Sequence, residues 1–104
     1  RAMELCCTGR PVKAEEAKAI GLVSSVSGAD EFEAAVAKFA GRLAALPPRA
    51  LDLTKRLINA SYGNNLEEQL EAEAFAQDTA GKTSDHFEGV TSFLEKRQPA
   101  FTGR

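Results

Sequence analysis

The sequence predicts a mainly α-helical chain with one short strand candidate. Apolar residues recur at alternating steps of four and three over most of its length. Clusters of Gly, Pro, Asn, Asp and Ser cut the chain between those windows. Only Leu22-Val23-Ser24-Ser25-Val26 has β character, and it is short.

Taken in order, Ala2 to Thr8 reads as the end of a helix closed by Gly9-Arg10-Pro11. Ala14 to Ile20 is a second short helix, with Gly21 placed for a left-handed C-terminal cap. Lys13 stands where Ser or Asp would cap better, so this helix starts poorly. Ser27-Gly28 ends the strand candidate. A lone strand leaves its backbone groups without a partner, so its partner is expected outside this sequence. Asp30-x-x-Glu33 resembles a capping box, and Phe32, Val36, Phe39, Leu43 and Leu46 form the stripe of the helix it opens. Pro47-Pro48 stops that helix, and Pro48 suits the first turn of the next. That helix carries Leu51, Thr54, Leu57, Ile58 and Ser61 and ends at Tyr62-Gly63. Asn65-x-x-Glu68 opens another, with Leu66, Leu70 and Ala74 on one face. Gly81-Lys82-Thr83-Ser84 separates it from a final helix.

The final helix has two apolar faces at about 100° per residue. Phe87, Val90 and Leu94 form an ordinary buried stripe, and Gly89, Phe93 and Lys96 gather on the other side. One face suffices to join a core. The second is expected to meet another subunit or a ligand.

The length of 104 residues suits one small domain. Apolar residues at 43% and charged residues at 27% fit a folded soluble chain. A net charge of −2 argues against a broad nucleic-acid or anionic-membrane surface. No apolar run approaches the roughly 20 residues that span a bilayer. No signal peptide is visible, and the first residue is Arg, so the chain is expected to be a piece of something longer. Cys6 and Cys7 are adjacent, too close for easy mutual pairing, and with one His they make a poor zinc set. They are expected to be small apolar residues of a reduced, cytoplasmic protein. Aromatic residues are few, six Phe and one Tyr, so the chain is expected to be marginal alone or to associate.

Catalytic signals are weak. Nothing orders Ser, Cys and His86 into a nucleophile with its base, and His86 is expected on a solvated turn. The pairs Glu15-Glu16 and Glu67-Glu68, with Glu71 and Glu73, fall on polar helix surfaces without the apolar pocket that raises a catalytic carboxylate. Gly81-Lys82-Thr83 lacks the upstream Gly and strand of a phosphate loop. The Phe93 and Lys96 face suits a ligand offering a flat ring and a phosphate. It equally suits a subunit contact with Lys96 reaching to solvent.

Several stretches, in order and spacing, carry a family resemblance. They are Ala2-x-Glu4-Leu5-x-x-Thr8-Gly9-Arg10, Ala14-Glu15-Glu16-Ala17, Gly21-Leu22-Val23, Leu43-Ala44-x-Leu46-Pro47 and Thr54-Lys55. Leu66-Glu67-x-x-Leu70-x-x-Glu73, Asp85-x-x-Glu88-Gly89 and Phe93-x-Glu95-Lys96-Arg97-x-Pro99-x-Phe101 follow. The chain resembles the C-terminal part of the enoyl-CoA hydratase/isomerase (crotonase) superfamily. Lys13 departs from the family's more usual Asp or Ser, which bears on a helix cap.

The resemblance implies an upstream spiral core of βαβ repeats that would pair with the strand. It makes residues 1–28 the end of that core and 29–104 a C-terminal helical, trimerising domain. It implies assembly as a trimer or dimer of trimers, and acyl-CoA as substrate with no tightly bound cofactor and no metal. An oxyanion hole of two backbone N–H groups and glutamate acid/base groups would stabilise an enolate and add water. Those groups belong to the upstream half, so this chain holds no catalytic residue and alone is expected to be inactive. Phe93 and Lys96 match the family residues that approach the CoA of a neighbouring subunit. No nucleic-acid or membrane partner is implied. Gln77-x-x-Ala80-Gly81-Lys82-Thr83-x-Asp85 with Phe101-Thr102-Gly103-Arg104 further resembles the branch of ring-1,2-epoxyphenylacetyl-CoA isomerases.

Overall fold

A computed structural model describes residues 1–104 as six helices and no strand: α1 Ala2–Thr8, α2 Ala14–Ala19, α3 Phe32–Ala44, α4 Pro48–Ala60, α5 Leu66–Gly81 and α6 Ser84–Glu95. They fall into two compact units, Arg1–Ala37 and Lys38–Arg104.

In the first unit, α1 ends at Gly9, whose φ of 60° lets its N–H reach back to the Leu5 carbonyl. Helix α2 starts at Lys13 without a side-chain cap, as the sequence implies, although Glu15 and Glu16 favour the positive end of the helix. Gly21, at φ 78°, turns the chain, and the Leu22 and Val23 N–H groups both return to the Ala17 carbonyl. Leu22–Val26 therefore forms no strand. Its first amides are folded onto α2 rather than laid along an edge, and nothing in the chain offers a partner ladder.

The capping box expected at Asp30 does not form either. A 3₁₀ turn, Ala29–Glu31, begins from extended Gly28, and the Glu31 N–H bonds the Gly28 carbonyl at 3.1 Å. Asp30 consequently lies inside the turn that leads into α3 and makes no cap bond. Elsewhere the junctions follow the sequence. Pro47 is extended and Pro48 opens α4. At Asn65 the capping box is complete: the Asn65 side chain accepts from the Glu68 N–H at 3.0 Å, and Glu68 accepts from the Asn65 N–H at 2.9 Å.

The helices stand where their periodicity puts them, but their large apolar stripes face outward. Phe32, Val36, Phe39 and Leu43 of α3 are exposed, as are Leu51 and Ile58 of α4 and Leu66 and Leu70 of α5. The inward face of α5 is made of small and polar residues: Ala76 is buried, and Gln69, Ala72, Thr79 and Ala80 are half-buried. Helix α4 answers with half-buried Leu53 and Leu57. Ala17 and Ala76 are the only buried apolar residues of the chain. Small side chains bring the helices together and leave the larger ones uncovered. The chain by itself therefore leaves much of its apolar surface uncovered.

Candidate ligand-contact site at the end of the last helix

Helix α6 begins at Thr83, whose hydroxyl accepts from the His86 N–H at 3.1 Å and donates to the Ala80 carbonyl at 2.7 Å. This hydroxyl accounts for the Gly81-Lys82-Thr83 segment as a helix junction, with Lys82 paired to Asp78 on α5. His86 lies within the first turn of α6, not on a loop, and is exposed with its ring edge-on to Phe87 at 5.8 Å.

The expected division of α6 into two faces is only partly realised. Phe87, Val90 and Leu94 are exposed rather than buried, and Gly89, assigned to the outer face with Phe93 and Lys96, is half-buried. The inward face is Asp85, Gly89 and Ser92, spaced by four and three residues. What covers it is the C-terminal tail. Phe101 lies over Gly89, where a Cβ would meet its ring at 3.7 Å. A cleft of about 250 Å³ beside it is lined by Pro47, Ala50, Ala80, Asp85, Gly89 and Phe101.

Two carboxylates on α6 hold that tail. Asp85, only 3% exposed, accepts from the Thr102 N–H (2.7 Å), the Thr102 hydroxyl (3.3 Å) and the Gly103 N–H (2.8 Å). In return the Asp85 N–H and the Ser84 hydroxyl donate to the Arg104 carbonyl. Gly103, at φ 82°, packs against the Pro48 ring of α4. Three residues after Asp85, Glu88 takes a two-pronged bond from the Arg97 guanidinium (2.6 and 2.8 Å) and one from the Ala100 N–H (2.8 Å). These donors hold the Glu88 carboxyl at about 2, well below its usual range. Glu88 and Glu95 together push the Arg97 guanidinium up.

Between Arg97 and the helix sits Lys96, the only non-glycine residue with positive φ (54°). It terminates α6: its N–H bonds the Phe93 carbonyl at 3.3 Å, and the Arg97 N–H bonds the Ser92 carbonyl at 3.0 Å. This is a Schellman closure with Lys in the place glycine usually fills. Both neighbouring carboxylates, Glu88 and Glu95, are engaged by Arg97, so the Lys96 ammonium has no ion-pair partner. Phe93 is 81% exposed and touches no other aromatic ring. Phe93 and Lys96, singled out in sequence, thus both lie at one exposed helix end, the first a bare ring and the second an unpaired cation.

The roles of Asp85, Glu88 and Arg97 were missed in sequence. Their motifs were visible, but partners seventeen or nine residues apart on a helix and an irregular tail follow no helical spacing. Three of the remaining candidate carboxylates have local partners. Glu16 pairs with Arg10, Glu68 caps α5, and Glu73 accepts from Gln69. Cys6 and Cys7 are free and exposed. No group of three or more His, Cys, Asp or Glu is placed to hold a metal ion, and no helix is long and apolar enough to cross a membrane.

The backbone is that of the C-terminal helical region of a crotonase-type fold. It matches a crystal structure of an enoyl-CoA hydratase from Bacillus anthracis with a TM-score of 0.94 and 36% identity, over 100% of this chain and 40% of that chain. The chain belongs to the enoyl-CoA hydratase/isomerase family, whose pattern it matches over residues 1–104. It is 38% identical over 104 residues to a 1,2-epoxyphenylacetyl-CoA isomerase of Escherichia coli K12. It is equally 38% identical over 104 residues to a probable enoyl-CoA hydratase of Rhodobacter capsulatus. The chain spans 40% of the length of each of these two relatives.

Proposed function

We propose that this chain is the C-terminal part of an acyl-CoA-processing enzyme, an enoyl-CoA hydratase that reversibly adds water to a 2-enoyl-CoA through an oxyanion-stabilised enolate. In this reading residues 1–28 complete a spiral core and residues 29–104 form the helical domain. The chain contributes oligomerisation surface and coenzyme A contacts. The oxyanion hole and the glutamate acid/base groups come from the rest of the protein. The observation that carries the reading is that the unpaired Lys96 ammonium and the bare Phe93 ring stand at the same exposed end of α6. The ammonium pairs with a phosphate oxygen of coenzyme A, and the ring stacks on its adenine. Neither group touches the reacting carbons, so their contribution is to affinity and orientation.

The exposed stripes of α3, α4 and α5 are the surfaces through which the protein assembles as a trimer or dimer of trimers, in the cytoplasm. A second reading, an isomerase acting on a ring-epoxide CoA thioester, is favoured by the 38% identity to the 1,2-epoxyphenylacetyl-CoA isomerase. A third, a non-catalytic helical association module, is favoured by the outward apolar faces alone.

The test is a crotonyl-CoA hydration assay on the full-length protein and on the 104-residue chain. Turnover by the first and none above background by the second is expected. Turnover by neither would remove the hydratase assignment, and turnover by the isolated chain would overturn the claim that the oxyanion hole and the acid/base groups lie outside it.

A further inference from the structure

Lys96 occupies a left-handed conformation that a glycine or asparagine would adopt with less strain, and it is the only side-chain-bearing residue in the chain to do so. The residue after it is the most heavily bonded on the tail. The Arg97 backbone closes the helix on Ser92, and its guanidinium reaches Glu88 at 2.6 and 2.8 Å and Glu95 at 2.6 Å. That arrangement does two things to Lys96. It fixes the direction in which the Lys96 side chain leaves the helix end, because the residues on both sides of it are tied. It also occupies the two carboxylates that would otherwise capture the ammonium.

We propose that Glu88, acting through Arg97, is a positioning residue: the Glu88–Arg97 pair holds Lys96 in its left-handed conformation with the ammonium free to meet a phosphate of coenzyme A. The proposal rests on the reading of Lys96 as a coenzyme A contact and adds the device that presents it. A lysine stands here against its backbone preference because its cation serves the ligand. Glu88 touches no ligand, and its influence on affinity passes entirely through Lys96.

A double-mutant cycle on the full-length protein, with coenzyme A as probe and its dissociation constant read by calorimetry, tests the proposal. Lys96→Ala is expected to weaken binding about tenfold, the loss of one charge-assisted bond. Glu88→Gln is expected to weaken it by about threefold in the parent background and not at all when Lys96 is already Ala. Arg97→Gln cuts the same pair from the other side and repeats the measurement, so a folding defect peculiar to one variant does not decide the outcome. Lys96→Gly is expected to raise the melting temperature while weakening binding as much as Lys96→Ala.

Equal effects of Glu88→Gln in both backgrounds, or no effect in either, would overturn the positioning role and leave the Lys96 contact standing. A lower melting temperature for Lys96→Gly would overturn the claim that the lysine is kept against its backbone preference. Unchanged binding by Lys96→Ala would overturn the coenzyme A contact itself, and the positioning role with it.

Discussion

Arg10 and Arg97 each grip two carboxylates, and the contrast between the two clamps shows how this chain is held together. Arg10 bonds Glu4 at 3.1 Å and Glu16 at 2.6 and 3.0 Å, partners six residues away on either side. It pins α1 to α2 across one turn, pulling the Glu16 carboxyl down, and the network ends there. Arg97 starts a longer series. Glu88, which it holds, also takes the Ala100 N–H, and one turn earlier Asp85 takes the amides of Thr102 and Gly103. Both clamps are made largely of exposed side chains, the Arg10 and Arg97 guanidinium groups being 38% and 42% exposed, so water and salt weaken their attraction. What sets the second apart is its neighbour Asp85, a carboxylate only 3% exposed that Arg97 does not touch, where a lost partner is not readily replaced by water.

The largest effect should therefore come from Asp85→Ala. It leaves two tail amides without their acceptor and should destabilise the full-length protein by about 1–3 kcal/mol per abandoned donor. Arg10→Ala should lower the melting temperature much less, and by an amount that shrinks as salt is added. Equal losses for the two variants in thermal melts would break the comparison.

Gly103→Ala should come next, at about 1–2 kcal/mol, because its φ of 82° strains any side chain. Its new Cβ would also meet the Pro48 ring at 3.4 Å. Gly89→Ala is the internal control. Its Cβ would make only ordinary contact with Phe101 at 3.7 Å, so a loss there as large as at Gly103 would contradict the assignment of strain.

A smaller effect is expected with pH at the second clamp. The Glu88 carboxyl is held at about 2 against an ordinary value of 4.5. Because the folded value is the lower one, the stability it contributes is fully present above about 4.5 and is lost as pH falls towards about 2. Glu88→Gln should flatten the fall in denaturation midpoint over that window relative to the parent. An unchanged slope would show that the pair contributes no linkage.

The same contrast explains what the sequence discloses and what it hides. Helix positions were legible because Gly9, Gly21, Pro47-Pro48 and the Asn65/Glu68 box act within a few residues of themselves. The direction in which each apolar stripe points was not. Phe87, Val90 and Leu94 look like core in a helical pattern, but the contacts formed inside this chain run through Ala76, Gly89 and Ser92. The box at Asp30 was inferred from local pattern, while the backbone bond to Gly28 decided the outcome. Leu22–Val26, expected to pair only outside this sequence, forms no strand within it, and its first amides turn back to Ala17. Phe93 and Lys96 were legible as an odd pairing of residue types. The tail that frames them was not, since it is irregular and Asp85 reaches seventeen residues to hold it.

The free cation at the end of α6 is expected to meet coenzyme A. Titrating the full-length protein and its Lys96→Ala variant with coenzyme A at several salt concentrations tests this most directly. An affinity about tenfold weaker in the variant, with a shallower dependence on salt, is the predicted result. The same affinity and the same salt dependence in both proteins would contradict it.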